Sequence, residues 1–202
     1  MTDRKLRAHE RKKPAISFTP DDWGKLRAEL QLRPEPEACV LLVIAATGLR
    51  IADVLAIEIA PLRSAVERDG VLDIVQKGGR KRQIPVAGAK TVWVGLLQRV
   101  TDGATVAAWI CPASNWGSKG GGGAYQRCNR YLRALCAELD IDGTPHLHRM
   151  RRTVATRALA HTHDIHLVSQ LMGHRKISST QAYTDELRAG EVSDLHAELW
   201  NQ

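Results

Sequence analysis

The sequence has no CxxC pair, no HExxH run and no apolar stretch long enough to cross a bilayer. Its four cysteines, Cys39, Cys111, Cys128 and Cys136, are widely spaced, which argues against a disulfide framework and a zinc ribbon and leaves them as reduced structural residues. The longest apolar stretch, Ala38 to Gly48, is about half of the ~20 residues that a membrane span needs, so it reads as a core helix. The charged N-terminus has no apolar segment behind it; a secretory signal is not visible and a cytoplasmic location is expected. His146, His161, His163, His166 and His196 invite a metal reading, but no carboxylate or thiolate companions stand at ligand spacing, so neither a metal nor a cofactor is expected. Acids are the scarcer charge, 22 against 29 Lys plus Arg, and the resulting +7 favours a polyanionic partner. What is present is a globular composition, 44% hydrophobic and 25% charged over 202 residues, enough to bury a real core in one domain with at most a small appendage.

Hydrophobic periodicity predicts a mainly helical chain. Residues 1 to 17 carry six Lys or Arg against Asp3 and Glu10 and read as a flexible basic arm. Thr19-Pro20-Asp21-Asp22 is an N-cap followed by Pro and two acids, which starts a helix running to about Arg33. Pro34 and Pro36 break it, and a fully buried helix from Glu37 to Thr47 ends at Gly48 as a left-handed cap. A short helical pattern follows at Arg50 to Ala56. Strands at Val71 to Val75 and Gln83 to Val86 flank a basic hairpin tip. Helical spacing returns at Trp93 to Val100, residues 114 to 123 form a glycine-rich loop, and helices are expected at Tyr125 to Leu139, 148 to 161 and 164 to 172. Trp23, Trp93, Trp109 and Trp200 are read as core or interface anchors, with Trp116 in the glycine-rich loop as the exception. No internal repeat is evident.

Several polar residues stand where a packed domain does not require them. Thr47-Gly48-Leu49-Arg50 puts an arginine just beyond a helix-ending glycine, with Asp53 placed to hold it. Lys77 opens the hairpin tip. His148 and Arg151 are one helical turn apart and share a face that can clamp an anion. Leu171-Met172-Gly173-His174 places a histidine after a helix stop, nine residues before Tyr183.

In this order and spacing, TGLR ending at Arg50, KGGRKRQIPV starting at Lys77, the HxxR box of His148 and Arg151, and LMGH ending at His174 with Tyr183 resemble the catalytic domain of the tyrosine recombinases, also called the phage integrase family. The resemblance covers roughly residues 19 to 185. It implies a mainly α fold (α+β) with a small three-stranded antiparallel sheet, and site-specific recombination of double-stranded DNA. Tyr183 would attack a phosphodiester to give a 3′-phosphotyrosyl bond and a free 5′-hydroxyl. Arg50 and Arg151 would neutralise the phosphorane-like transition state and His174 would donate a further hydrogen bond. Lys77 would be the general acid for the departing 5′-oxygen, and His148 the proton acceptor or positioning partner of the Tyr183 phenol. Arg80, Lys81, Arg82, Arg149, Arg152, Arg175 and Lys176 are the expected contacts to the DNA backbone. A homotetramer on paired DNA sites is expected, with a monomer or weak oligomer when free and an accessory DNA-bending protein as a candidate partner.

The chain departs from the family pattern in places. Met150 stands where Leu is usual, and Arg152 where His is frequent, which leaves Arg152 as the alternative to Arg151 at the phosphate. The helical DNA-clamping domain that usually precedes the catalytic one is missing, so the chain is either a fragment or a single-domain member, and Met1 favours the latter. Residues 18–188 are then the catalytic domain, and 189–202 an amphipathic helix that docks on a neighbouring protomer or packs in cis. The competing activities are nicking and resealing like that of type IB topoisomerases, and DNA binding without cleavage by a regulator of the same fold.

Overall fold

The first helix, α1 (Pro20–Leu32), begins where its capping chemistry places it. Thr19 Oγ1 accepts a hydrogen bond from the Asp22 N–H at 3.1 Å, Pro20 takes the first turn, and Asp21 and Asp22 face the positive end of the helix dipole. One stripe, Trp23, Leu26 and Leu30, is buried. The computed structural model that shows this describes residues 17–76, 79–100, 105–110, 122–174 and 178–180. The basic arm apart from Ser17, Lys77, the glycine-rich loop to residue 121, Arg175, Lys176, Tyr183 and the helix expected at 189–202 lie outside the described residues, as do Cys111, Trp116 and Trp200.

Helix α2 (Pro36–Thr47) is the hub, and α1, α5, α7 and α8 pack around it. Its all-round apolarity is matched by burial from Glu37 to Ala45, with only Leu42 partly exposed. It stops at Gly48, whose φ of 65° is left-handed and whose N–H reaches the Ile44 carbonyl at 2.8 Å. A side chain could not replace this glycine without strain, because a Cβ there would lie 3.0 Å from both Met172 Sδ and Val154 Cγ1.

After α3 (Ile51–Leu55) comes α4 (Ile59–Glu67), an element that the sequence reading left unassigned. Pro61 conceals it, yet the residue stands in the first turn, where its missing N–H has no intrahelical acceptor to lose, and Ile59, Leu62, Ala65 and Val66 form a buried stripe behind it. Strands β1 (Val71–Gln76) and β2 (Arg80–Pro85) form an antiparallel hairpin. The sequence reading expected three strands; the described residues form two. Leu72 pairs with Ile84 and Ile74 with Arg82 on the inner face, while Val71, Asp73, Val75, Lys81, Gln83 and Pro85 point outward and are exposed.

A short 3₁₀ turn leads into α5 (Lys90–Arg99), followed by α6 (Val106–Ile110), α7 (Gly122–Glu138), α8 (Leu147–Thr162) and α9 (Ile165–Met172). Trp23, Trp93 and Trp109 are all core residues, as expected. Cys39, Cys128 and Cys136 are buried free thiols; burial pushes Cys128 up to about 12 and Cys136 to about 11, which suppresses the reactive thiolate. One core runs from α1 through the start of α8, and a small satellite of Ala155, Leu159, Val168 and Met172 joins α8 to α9. No helix among the described residues is long and apolar enough to cross a membrane.

Gly48→Ala is expected to cost about 1–3 kcal/mol in denaturant unfolding, from left-handed strain and the crowded Met172 and Val154 contacts. Gly88→Ala, where nothing lies within 4 Å, is the control with little effect. Equal midpoints for the two variants would contradict this packing.

Candidate active site

The α2 stop turns the chain so that Leu49 is buried and Arg50, the N-cap residue of α3, emerges with its side chain 44% exposed. Asp53, buried one turn into α3, holds a carboxylate oxygen 3.9 Å from Arg50 Nη1. At that separation it acts as an electrostatic tether more than as a hydrogen bond, and it limits where the exposed guanidinium swings.

Helix α8 supplies the second pair. Its N-cap is His146, whose Nδ1 accepts from the Arg149 N–H at 3.0 Å. The His146 and His148 rings stack with centroids 6.4 Å apart. His148 is exposed, whereas Arg151, one turn on, is 3% exposed. Arg151 donates through Nη1 to the Gly48 carbonyl and through Nη2 to the Met172 carbonyl. It therefore joins the turn after α2 to the turn after α9. Arg50, His148, Arg151 and Tyr125 line one cleft of about 230 Å³, with Leu49 and Ile51 as its apolar wall. Arg152, the alternative to Arg151, is not part of that lining.

His174 follows Gly173, the left-handed cap of α9 with φ 63°. Its backbone N–H returns to the Ser169 carbonyl at 3.0 Å, and its Nδ1 lies 2.8 Å from the hydroxyl of fully buried Thr180. Burial pushes the His174 imidazole down to about 4, and the positive charges of Arg151 and Arg50, then His148 and Arg82, push in the same direction. His148 is lowered too, first because the protein keeps water from part of its otherwise exposed ring and then by the charge of Arg151. Residues far apart in sequence thus share one electrostatic environment, which holds both imidazoles neutral at neutral pH.

Other expected site residues sit elsewhere. Lys81 is exposed on the outer hairpin face and Arg152 is partly buried; only the backbone of Arg80 is described. Two expected backbone contacts are turned inward instead. Arg149 is 8% exposed, donates to the Asp142 carbonyl at 2.9 Å and stacks its guanidinium 4.0 Å over the Phe18 ring. Arg82, on the inner face of β2, donates to the Leu171 carbonyl. The alternation Lys81-out, Arg82-in, Gln83-out, Ile84-in was available as a signal, but starting the strand at Gln83 left Arg82 in the tip.

The sequence reading missed Tyr125, His146 and Thr180. Nothing local marks Tyr125, at the start of α7, as a cleft residue, and histidine is not a usual N-cap. Nothing local marks Thr180 either, because its pairing with His174 depends on how the chain turns after α9.

The sequence profile of the phage integrase family matches residues 17–189. The tyrosine recombinase XerC of Vibrio parahaemolyticus is 28% identical over 137 residues, covering 68% of this chain and 43% of that protein. Among solved structures, XerH bound to a palindromic difH substrate in a post-cleavage complex superposes with a TM-score of 0.65 at 16% identity, over 93% of this chain and 54% of that one. A lambda integrase tetramer bound to a Holliday junction gives 0.59 at 17% identity, over 83% and 47%. The chain spans about half the length of the curated relatives it matches. These structural likenesses concern the fold, whereas the profile match runs through every residue gathered at the cleft, and by it the chain belongs to the phage integrase family, the tyrosine recombinases.

Proposed function

We propose that this chain cleaves and rejoins double-stranded DNA at specific sites, with Tyr183 as nucleophile. The observation that supports this most is the convergence of Arg50, His148, Arg151 and His174 on one electropositive centre from three separate stretches of sequence. The Tyr183 phenolic oxygen bonds to phosphorus and the bond to the 5′-oxygen breaks; the phenol proton passes to His148 or to water, and the leaving oxygen takes a proton from Lys77. The product is a 3′-phosphotyrosyl ester and a free 5′-hydroxyl, and attack by a 5′-hydroxyl from the same or another duplex reverses the step. Because one ester replaces another, no external energy source is needed.

The neutral imidazoles suit this chemistry. A neutral His148 can accept a proton at physiological pH, which a ring already charged cannot. If the Thr180 hydroxyl donates to His174 Nδ1, the one ring proton of His174 resides on Nε2, ready for a non-bridging phosphate oxygen. Arg50 contributes an exposed charge, and Arg151 contributes charge from a guanidinium already fixed by two carbonyls, so little ordering is required when DNA arrives. Lys81 and Arg152, with Arg80, Arg175 and Lys176, are proposed as backbone contacts; Arg82 and Arg149 are not. On paired sites the active assembly is proposed to be a tetramer, with Tyr183 chemistry alternating between protomers.

A pool of nicked duplexes of randomised sequence tests the proposal, because a nick next to the cleavage point lets the short fragment bearing the free 5′-hydroxyl escape and traps the covalent adduct. Wild-type chain is expected to form a protease-sensitive DNA adduct, and Tyr183→Phe to bind DNA without forming one; an adduct from Tyr183→Phe would refute the assignment. Arg50→Ala should lower cleavage on the order of 100-fold or more while leaving thermal stability almost unchanged, since Arg50 is exposed. Arg151→Ala should lose cleavage and also about 1.5–3 kcal/mol of stability, the scale for a buried hydrogen bond to a charged group.

As far as the histidines are concerned, cleavage should fall on the acid side as His148, lowered from its ordinary value, takes up a proton and can no longer accept one from the phenol. Stability has the same sign. His174 binds its proton more weakly in the folded chain, at about 4 against the ordinary 6.5, so the unfolded chain holds more protons between those values. Its contribution is complete above 6.5 and is lost as pH falls toward 4. Denaturant midpoints of the wild type and His174→Asn between pH 7 and 5 check this; an equal acid slope for both would contradict it.

A further inference from the structure

We propose that Arg82 is a positioning residue that sets the His174 imidazole by gripping the C-terminal end of α9, and is not a DNA contact. This rests on the reading of His174 as a phosphate donor. Strand alternation puts Arg82 on the inner hairpin face opposite Ile74, beside buried Leu72 and Ile84. Its Nη2 donates to the Leu171 carbonyl, and the guanidinium lies so close to Gly173 that a Cβ at that glycine would stand 2.7 Å from Nη1 and 3.1 Å from Cζ.

The last carbonyls of a helix have no intrahelical donor and carry the negative end of its dipole. In α9 two of them, at consecutive residues, receive guanidinium donors from different elements: Leu171 from Arg82 on β2, and Met172 from Arg151 on α8. Gly173 and His174 follow at once. Apolar packing alone holds this end weakly, because α9 is eight residues long, shares only the small satellite core with α8, and leaves Leu167 and Leu171 exposed at 49% and 40%. Two cationic forks therefore do what burial does elsewhere. Arg82 also contributes to the positive field on His174, in line with its proximity to the ring. The hairpin, which begins and ends on either side of Lys77, is thereby fastened to the turn that presents His174.

The test uses the full chain with Arg82→Met, Arg82→Lys, His174→Ala and the double variant Arg82→Met/His174→Ala. The readouts are single-turnover cleavage at saturating DNA of a duplex recovered from the randomised pool, DNA affinity across salt, and the NMR titration of the His174 ring. Arg82→Met should cleave roughly 10–100-fold more slowly, since ångström misplacement of one group costs on that order. Its affinity and salt slope should match the wild type, and it should add little to His174→Ala, because both act through one imidazole. Arg82→Lys, which keeps the charge without the fork, should recover part of the loss. The His174 midpoint should rise in Arg82→Met as a positive neighbour is removed.

Full cleavage at saturation with weaker binding and a salt slope smaller by about one would make Arg82 a phosphate contact and overturn the proposal. So would losses that multiply in the double variant. If the wild type forms no adduct at all, the cleavage reading falls, and amide hydrogen exchange at 172–174 decides alone: faster exchange in Arg82→Met supports the grip on this turn, unchanged exchange refutes it.

Discussion

The arrangement at the cleft depends on one buried guanidinium. Arg151 is 3% exposed and bridges the carbonyls of Gly48 and Met172, residues that end two helices more than a hundred positions apart. A cation this deep is costly to bury unless its donors are met. Here they are met by carbonyls that lacked partners of their own, so each side relieves the other. The bridge holds the turn presenting Arg50 beside the turn presenting His174. Apart from the Met172 side chain packed over Gly48, those turns belong to different cores, the main cluster around α2 and the satellite between α8 and α9.

The same charge governs the protonation of its neighbours. Arg151 leads the charged groups that depress both His148 and His174, after burial itself. That field and burial together keep the two imidazoles neutral at neutral pH. Glycine completes the geometry at both turns. Gly48 and Gly173 take left-handed φ values of 65° and 63°, and at each the space for a side chain is filled by a neighbour: Met172 and Val154 at the first, Arg82 at the second.

Much of this was legible from sequence where the determinants are local. The Thr19 cap, the buried α2, its glycine stop and the one-turn spacing of His148 and Arg151 follow from short-range rules and stand in the structure as read. What was not legible is set by tertiary contacts. Helix α4 was hidden because Pro61 reads as a breaker unless it is known to fall in the first turn. Arg82 and Arg149 read as surface cations because an arginine is solvated by default; only the hairpin register and the Phe18 ring turn them inward. Arg151 could be read as half of an anion clamp from its spacing with His148, but not as a strut, since its partners are backbone carbonyls that sequence does not display.

The claim that Arg151 joins the two turns is tested most directly by amide hydrogen exchange in Arg151→Met against the wild type, with Arg50→Met as the exposed control. Faster exchange is expected at two places together, around Gly48 and around 172–174, with no change at either in the control. Unchanged protection at both turns, or a loss confined to one of them, would contradict the account.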